Sequence, residues 1–253
     1  MSRLVKNLLI ILTLAISVSA LPSLGYAAAQ TDKKTDSTIS FLGTLEIPSQ
    51  LEIIDMKDVF IEIIKMGEKL QEEKEAKEGS SSTGEIPKKI SEENLRTALN
   101  QYDLGAYQFA LKQNGSYNQA FVLAAKLPPN MKETAGRFLG EMKNYDKKKQ
   151  SELKALTEKA IQEAIASTPE LKASFSFELL EFYPFEYTKK GKLQMISAGG
   201  SMAVRTYKLI QPFAVKTYLL EKNSDYYVFA IINSGSDRKL WDNMTKEMLL
   251  NLN

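Results

Sequence analysis

Neither histidine nor cysteine occurs anywhere in the chain, so any chemistry must rest on carboxylates, lysines, hydroxyls and aromatic rings. A Ser-His-Asp triad and a Cys-His pair cannot be built. Zinc, haem and iron–sulfur ligation by the usual residues is excluded for the same reason. Paired carboxylates of the glycosidase kind remain open. The acids set among apolar strand residues are Glu178, Glu181 and Glu186. Glu178 and Glu186 have the even spacing that shares a strand face, but Pro184 interrupts the run. Alternation with Phe177, Leu179 and Phe185 predicts that these acids face solvent. Ser151 and Lys154 match the S-x-x-K spacing of Ser-Lys enzymes, yet no companion motif accompanies them, and a serine capping a charged helix accounts for them. Asp225 and Asp237 fall in turns without the D-x-D-x-D-G order of a calcium loop. Gly191 and the Gly199-Gly200 pair lack the spacing of a nucleotide-binding loop. The expectation is no catalytic residue, no cofactor and no metal site.

A binding surface is the other option. Phe182, Tyr183, Pro184, Phe185 and Tyr187 are denser in aromatic rings than a core strand requires. Tyr183, Phe185 and Tyr187, with Arg205 as a polar anchor, are the residues that could line a groove for a sugar or peptide. Packing on the sheet accounts for the rings as well, and a solvent-facing arginine accounts for Arg205.

The elements that must position these residues lie mainly between Ser174 and Asn253. Phe175, Phe177 and Leu179 alternate with Ser174, Ser176 and Glu178 as a strand does. Lys189 to Lys192 is a polar turn around Gly191, and Gly199-Gly200 reads as a second turn or bulge. Val215, Thr217 and Leu219 alternate again, and Asn223-Ser224-Asp225 breaks the run. Tyr226 to Ile232 is almost wholly apolar, which predicts a strand covered on both faces. Ser236 or Asp237 then caps a helix whose Leu240, Trp241, Met244 and Met248 make one apolar stripe. Earlier, Leu45 to Ile53 alternates around Pro48-Ser49 as a hairpin, or a strand and its continuation. Two helices come next, over 55–78 and from Ser91 to Gly105, separated by a charged, Ser/Gly-rich insertion near 71–90. Ala106–Leu111 and Tyr117–Leu127 form a hairpin through Asn114-Gly115. Met131 to Ile165 is a helical tract with a break near Asn144: a short irregular piece, then a helix bearing Leu153, Leu156, Ile161 and Ile165.

Met1 to about Ala29 has the pattern of a signal peptide. Arg3 and Lys6 precede an apolar stretch, Leu8–Ala20, too short to span a bilayer, and small residues favour cleavage after Ala27 or Ala29. Cleavage would remove Arg3 and Lys6 but no acid, so the 33 basic residues fall level with the 31 acidic ones. A neutral balance offers no attraction for nucleic acid or an anionic membrane, and no later segment predicts membrane insertion. Without disulfides the stability must come from the core, and roughly 225 mature residues suffice to bury about 70% of the extended surface. The expected organisation is a signal peptide over 1–29, a flexible leader over 30–38 and a single domain over 39–253. Its class is α+β: a single mostly antiparallel sheet packed between helices.

Two stretches resemble Mog1/PsbP-like domains. One is the hairpin around Leu45-Glu46-Ile47-Pro48, although the family's tryptophan is missing from it. The other runs from Tyr218-Leu219-Leu220 through Tyr227–Ile232 and Asp237-Arg238-Lys239-Leu240-Trp241 into the last helix. The long segment Val59–Gly105 departs from the family's compact pattern. The resemblance implies an antiparallel sheet between helices and a non-catalytic binding or assembly role, and it transfers no site residue. The expected protein is thus exported, periplasmic or secreted, and binds an envelope protein or glycan. A carboxylate-based, glycosidase-like hydrolase is the alternative.

Overall fold

A computed structural model describes residues 37–39, 42–56, 58–59, 105–113, 116–143, 176–206 and 209–252, with Glu152, Ala155, Glu158 and Lys159. The expected signal peptide, the insertion near 71–90, the helix from Ser91, the Ser151/Lys154 pair and most of the Leu153–Ile165 helix lie outside the described residues. A small hairpin comes first: β1 (Ser37–Ile39) pairs antiparallel with β2 (Gly43–Leu45). It starts two residues inside the stretch read as leader. Beyond the turn at Ser49-Gln50, β3 (Leu51–Asp55) joins the main sheet with β4 (Gly105–Gln113) and β5 (Ser116–Lys126). A 3-10 turn then leads into α1 (Lys132–Lys143). Four long strands come after it, β6 (Ser176–Lys190), β7 (Leu193–Thr206), β8 (Leu209–Lys222) and β9 (Asp225–Asn233), and α2 (Arg238–Leu250) closes the chain.

The sheet has seven strands in the order β3-β4-β5-β9-β8-β7-β6, and every neighbouring pair is antiparallel. The fold is α+β. Its strands form two meanders. The first runs β3-β4-β5; the second starts at the far edge with β6 and steps back until β9 lies beside β5. The strand read from its apolar run therefore becomes the middle one, and every residue from Tyr227 to Asn233 is buried.

Alternation divides the core. Tyr227, Phe229 and Ile231 share a cluster with Trp241, Met244, Met248 and Leu249 of α2 and with Ile39, Leu42 and Leu45 of the small hairpin. Val228 turns the other way and packs with Ala135 and Leu139 of α1. Ala230 and Ile232, also on that side, join Leu123, Met202, Phe213 and Val215. Trp241 is fully buried, as its place on the apolar stripe predicts. Its Nε1 and the Thr245 Oγ1 one helical turn on have no hydrogen-bond partner.

Three local readings change. Residues 132–143, read as an irregular piece, form a regular helix despite two glycines. Gly136 belongs there because a Cβ would come 2.7 Å from the Tyr226 hydroxyl. Gly199-Gly200 is no turn: both lie inside β7, opposite Lys216 and Val215. They are glycines because neighbours fill the space. A Cβ on Gly199 would overlap the Val215 carbonyl oxygen, with the Tyr183 ring at 3.1 Å. β7 runs on to Thr206, and β8 begins at Leu209. Asp237 is the N-cap residue of α2 but makes no side-chain cap bond, and the Ser236 hydroxyl bonds Ser234 at 3.0 Å.

Pro212 sits in β8 without cost to the ladder. The pairing of β8 with β9 begins only at Ala214, so among the described residues no strand lies on that side to need its missing N–H. Among the described residues no helix is long and apolar enough to cross a membrane.

Two glycine replacements test this packing. Gly199→Ala should destabilise by about 1–3 kcal/mol or more, since the clash is with backbone. Gly140→Ala, with open space around it, should stabilise α1 by about 0.5–1 kcal/mol. Urea unfolding of both variants measures the contrast.

Candidate functional site

The edge strand β6 holds most of the residues singled out by their chemistry, and two irregularities decide where they point. Its pairing with β7 shifts register between Leu179 and Glu181, and again between Tyr183 and Glu186. Each shift inserts a residue and reverses the parity of the positions after it. Glu178, Glu181, Tyr183 and Glu186 thereby stand opposite Ala203, Ser201, Gly199 and Ser197, all odd-numbered positions of β7 and all on the α2 side. Phe185 and Tyr187 are left on the α1 side, in the cluster with Phe138 and Leu139.

The four residues predicted as a binding set are therefore not one surface. Tyr183 is buried on the α2 side, with its hydroxyl bonded to Ser201 and the Arg238 guanidinium 4.2 Å above its ring. Phe185 packs edge-on against Phe138 at 6.0 Å. The Tyr187 hydroxyl donates to Gln194 at 2.8 Å, and the Lys143 ammonium lies 5.7 Å from its ring. Arg205 is exposed, six residues along β7 from Gly199, or about 20 Å, and pairs with Glu178 at 3.3 Å.

What the strand assembles on its α2 side is a row of acids, each facing a cation. Glu178 meets Arg205 of β7. Glu181 meets Arg238 of α2 at 3.6 Å. Glu186 meets Lys246 of α2 at 3.5 Å and Lys216 of β8 at 3.8 Å. Lys216 is the buried member, 8% exposed, and its ammonium also lies 3.7 Å from the Asp242 carboxylate. Burial pushes Asp242 above the ordinary carboxylate range, Lys216 and Arg238 pull it back, and Glu186 adds to the rise. The Tyr218 hydroxyl donates to the Asp242 carbonyl oxygen at 3.4 Å. Burial first, then Asp242 and Glu186, holds that phenol neutral by raising its pKa.

Sequence reasoning missed Lys216, Arg238, Asp242 and Lys246. The signal was present. Arg238, Asp242 and Lys246 recur at four-residue spacing, one charged stripe of alternating sign beside the apolar one. Lys216 shares strand parity with Tyr218 and Leu220, so a lysine sits where the pattern calls for an apolar residue.

Chemically the row is an ionic clamp between the edge strand and α2, and it contains one carboxylate pair, Glu186 and Asp242, sharing the Lys216 ammonium. Among the described residues no three acids converge as a metal site would need. No family model matches the chain, and no curated protein matches it.

A second ion cluster sits at the sheet's end. Asp225 accepts from Lys132 at 2.5 Å and from Lys126 at 2.7 Å. These two bonds hold its carboxyl at about 2, below the ordinary 3.8. A depressed folded pKa stabilises above the unfolded value and loses that contribution as pH falls. Stability should therefore drop between about pH 4 and pH 2 in the native chain, and Asp225→Asn should flatten that part of the profile in acid titrations of unfolding.

Lys216→Met leaves Asp242 without its nearest cation and still beside Glu186. A loss of about 1–3 kcal/mol at neutral pH is expected, less than for a fully buried pair because Glu186 is half exposed. The loss should shrink in acid as Asp242 protonates, and the double variant with Asp242→Asn should recover part of it in chemical denaturation.

Proposed function

We propose that the chain is exported and serves as a non-enzymatic binding or assembly module of the cell envelope, its partner an envelope protein or glycan. The observation that carries this reading is the state of the acids. Glu178, Glu181 and Glu186 were the residues available for acid–base work, and each faces a cation, unlike the apolar setting that keeps a general acid protonated. The Met1–Ala29 pattern supports export and cleavage after Ala27 or Ala29. The antiparallel sheet ending in a hairpin and terminal helix agrees with the Mog1/PsbP-like resemblance. Expression of the full chain, then fractionation and N-terminal sequencing, should find a mature form beginning at Ala28 or Gln30 outside the cytoplasm. An uncleaved cytoplasmic chain would refute export. Affinity capture from envelope extract with the mature protein should enrich one protein or glycan, and no enrichment would count against the binding role.

One observation favours the hydrolase reading: Glu186 and Asp242 share one ammonium, and burial raises the Asp242 pKa. If they act as base and acid, Glu186→Gln and Asp242→Asn should each abolish hydrolysis of chromogenic glycosides. No turnover by the native protein removes that reading.

A further inference from the structure

At one end of the sheet the β6–β7 turn, the β8–β9 turn, the end of α2 and Glu46 enclose an open cleft of about 380 Å³. Its charged lining is Lys190, Lys192, Lys222 and Glu46, with the amides of Asn223 and Asn251 between them. The two turns bring the lysines together for reasons of backbone geometry. Gly191 takes φ +57°, and Asn223 and Ser224 take φ +53° and +64°, the double left-handed turn that joins strands tightly. Lys190 and Lys222 therefore leave their strands at the last paired positions, opposite Leu193 and Asp225.

The cations differ in how they are satisfied. Lys190 donates to the Asn251 side-chain oxygen at 2.6 Å, a neutral partner. Lys222 has a carboxylate directly across the ladder, Asp225, but both of its oxygens are taken by Lys126 and Lys132. Lys222 has no acidic partner among the described residues, nor has Lys192. Partial burial lowers the Lys222 pKa, as it does for an ammonium with no counter-charge.

We infer that this cleft binds a small phosphomonoester. The charge count is the argument. Three ammoniums and one carboxylate leave two positive charges, and a phosphomonoester carries about −1.5 to −2 at neutral pH. Lysines act on phosphate as point charges that need no fixed fork geometry, and the volume lies in the range of small-ligand sites. Asn223 and Asn251 offer donors for the oxygens of the rest of the molecule. The inference names a ligand class for the proposed binding role and rests on that reading only to that extent. Export and envelope capture can stand if the cleft fails.

The experiment is titration of the mature protein with glycerol phosphate, monitored by amide NMR, with inorganic phosphate and acetate as further probes. Saturable shifts at Gly191, Asn223 and Asn251 are expected, weaker with acetate, and salt should weaken them. Lys222→Met should reduce affinity at least tenfold, Glu46→Gln should increase it, and Lys112→Met, on exposed β4 surface, should leave it unchanged. Vesicles of phosphatidic acid, whose headgroup is a phosphomonoester, with phosphatidylcholine as control, separate a lipid source of phosphate from a free one. Equal affinity in the Lys222→Met and native proteins would overturn the inference, as would shifts spread over lysines outside the cleft. A circular dichroism spectrum unchanged in each variant keeps the comparison valid.

Discussion

A strand buried on both faces sets the terms for this fold. β9 is the fourth of seven strands, and a run such as Val228-Phe229-Ala230-Ile231-Ile232 has no face to offer to water. Its backbone groups need partners on both edges, which β5 and β8 supply. Its side chains need a layer above and below. The chain meets the first requirement by bringing two meanders together at their last strands, and this joins elements more than a hundred residues apart. α2 comes four residues after β9, so the strand's own successor covers one face. The other face receives α1 against Val228.

α2 cannot cover the whole sheet with apolar residues, because a helix presents a stripe and the sheet extends three strands past β9 to β6. At that margin the contact becomes ionic. Arg238, Asp242 and Lys246 reach outward over β8 and β6 while Trp241, Met248 and Leu249 face the core. The edge strand gains from the same arrangement. Among the described residues no strand pairs with the outer side of the fifteen-residue β6, and such an edge invites pairing with another chain. β6 opposes this with two register shifts, Pro184 within the run and three glutamates held in ion pairs. The row that was open to a catalytic reading thus also protects the edge.

Most elements of the described sheet were legible because they follow from short-range rules. The Asn114-Gly115 signal predicts the register that puts Gln113 opposite Ser116, and the apolar stripe of α2 predicts its buried face. Parity along β6 was not legible. Strict alternation assigns Glu181 and Glu178 to opposite faces, and only the inserted residue at Leu180 brings them to the same one. A bulge is a property of two strands, so one strand's sequence does not display it. The same holds for Gly199 and Gly200. Their reason for being glycine lies in Val215, Tyr183 and Glu181 of the neighbouring strands, and glycine pairs read alone signify turns. Lys216 escapes for a different cause: alternation locates apolar residues, and it is silent on which acid a buried exception will meet.

Lys216 and Lys222 show how position along a single element decides what a lysine does. Both lie in β8, six residues apart, with side chains on the same face. Both are partly withdrawn from water, which costs free energy unless negative charge is near. At Lys216 the early turns of α2 bring Asp242, and the edge strand brings Glu186. The charge is satisfied inside the protein, and the result is a clamp. At Lys222 the helix has reached its end and offers only the amide of Asn251, already bonded to Lys190. The acid across the ladder, Asp225, is held by two other lysines. The protein thus meets the charge of one lysine with its own carboxylates and leaves the other in an open cleft beside two more cations. A chain with 33 basic and 31 acidic residues still has this local excess, because the described acids nearest these lysines are paired with other cations.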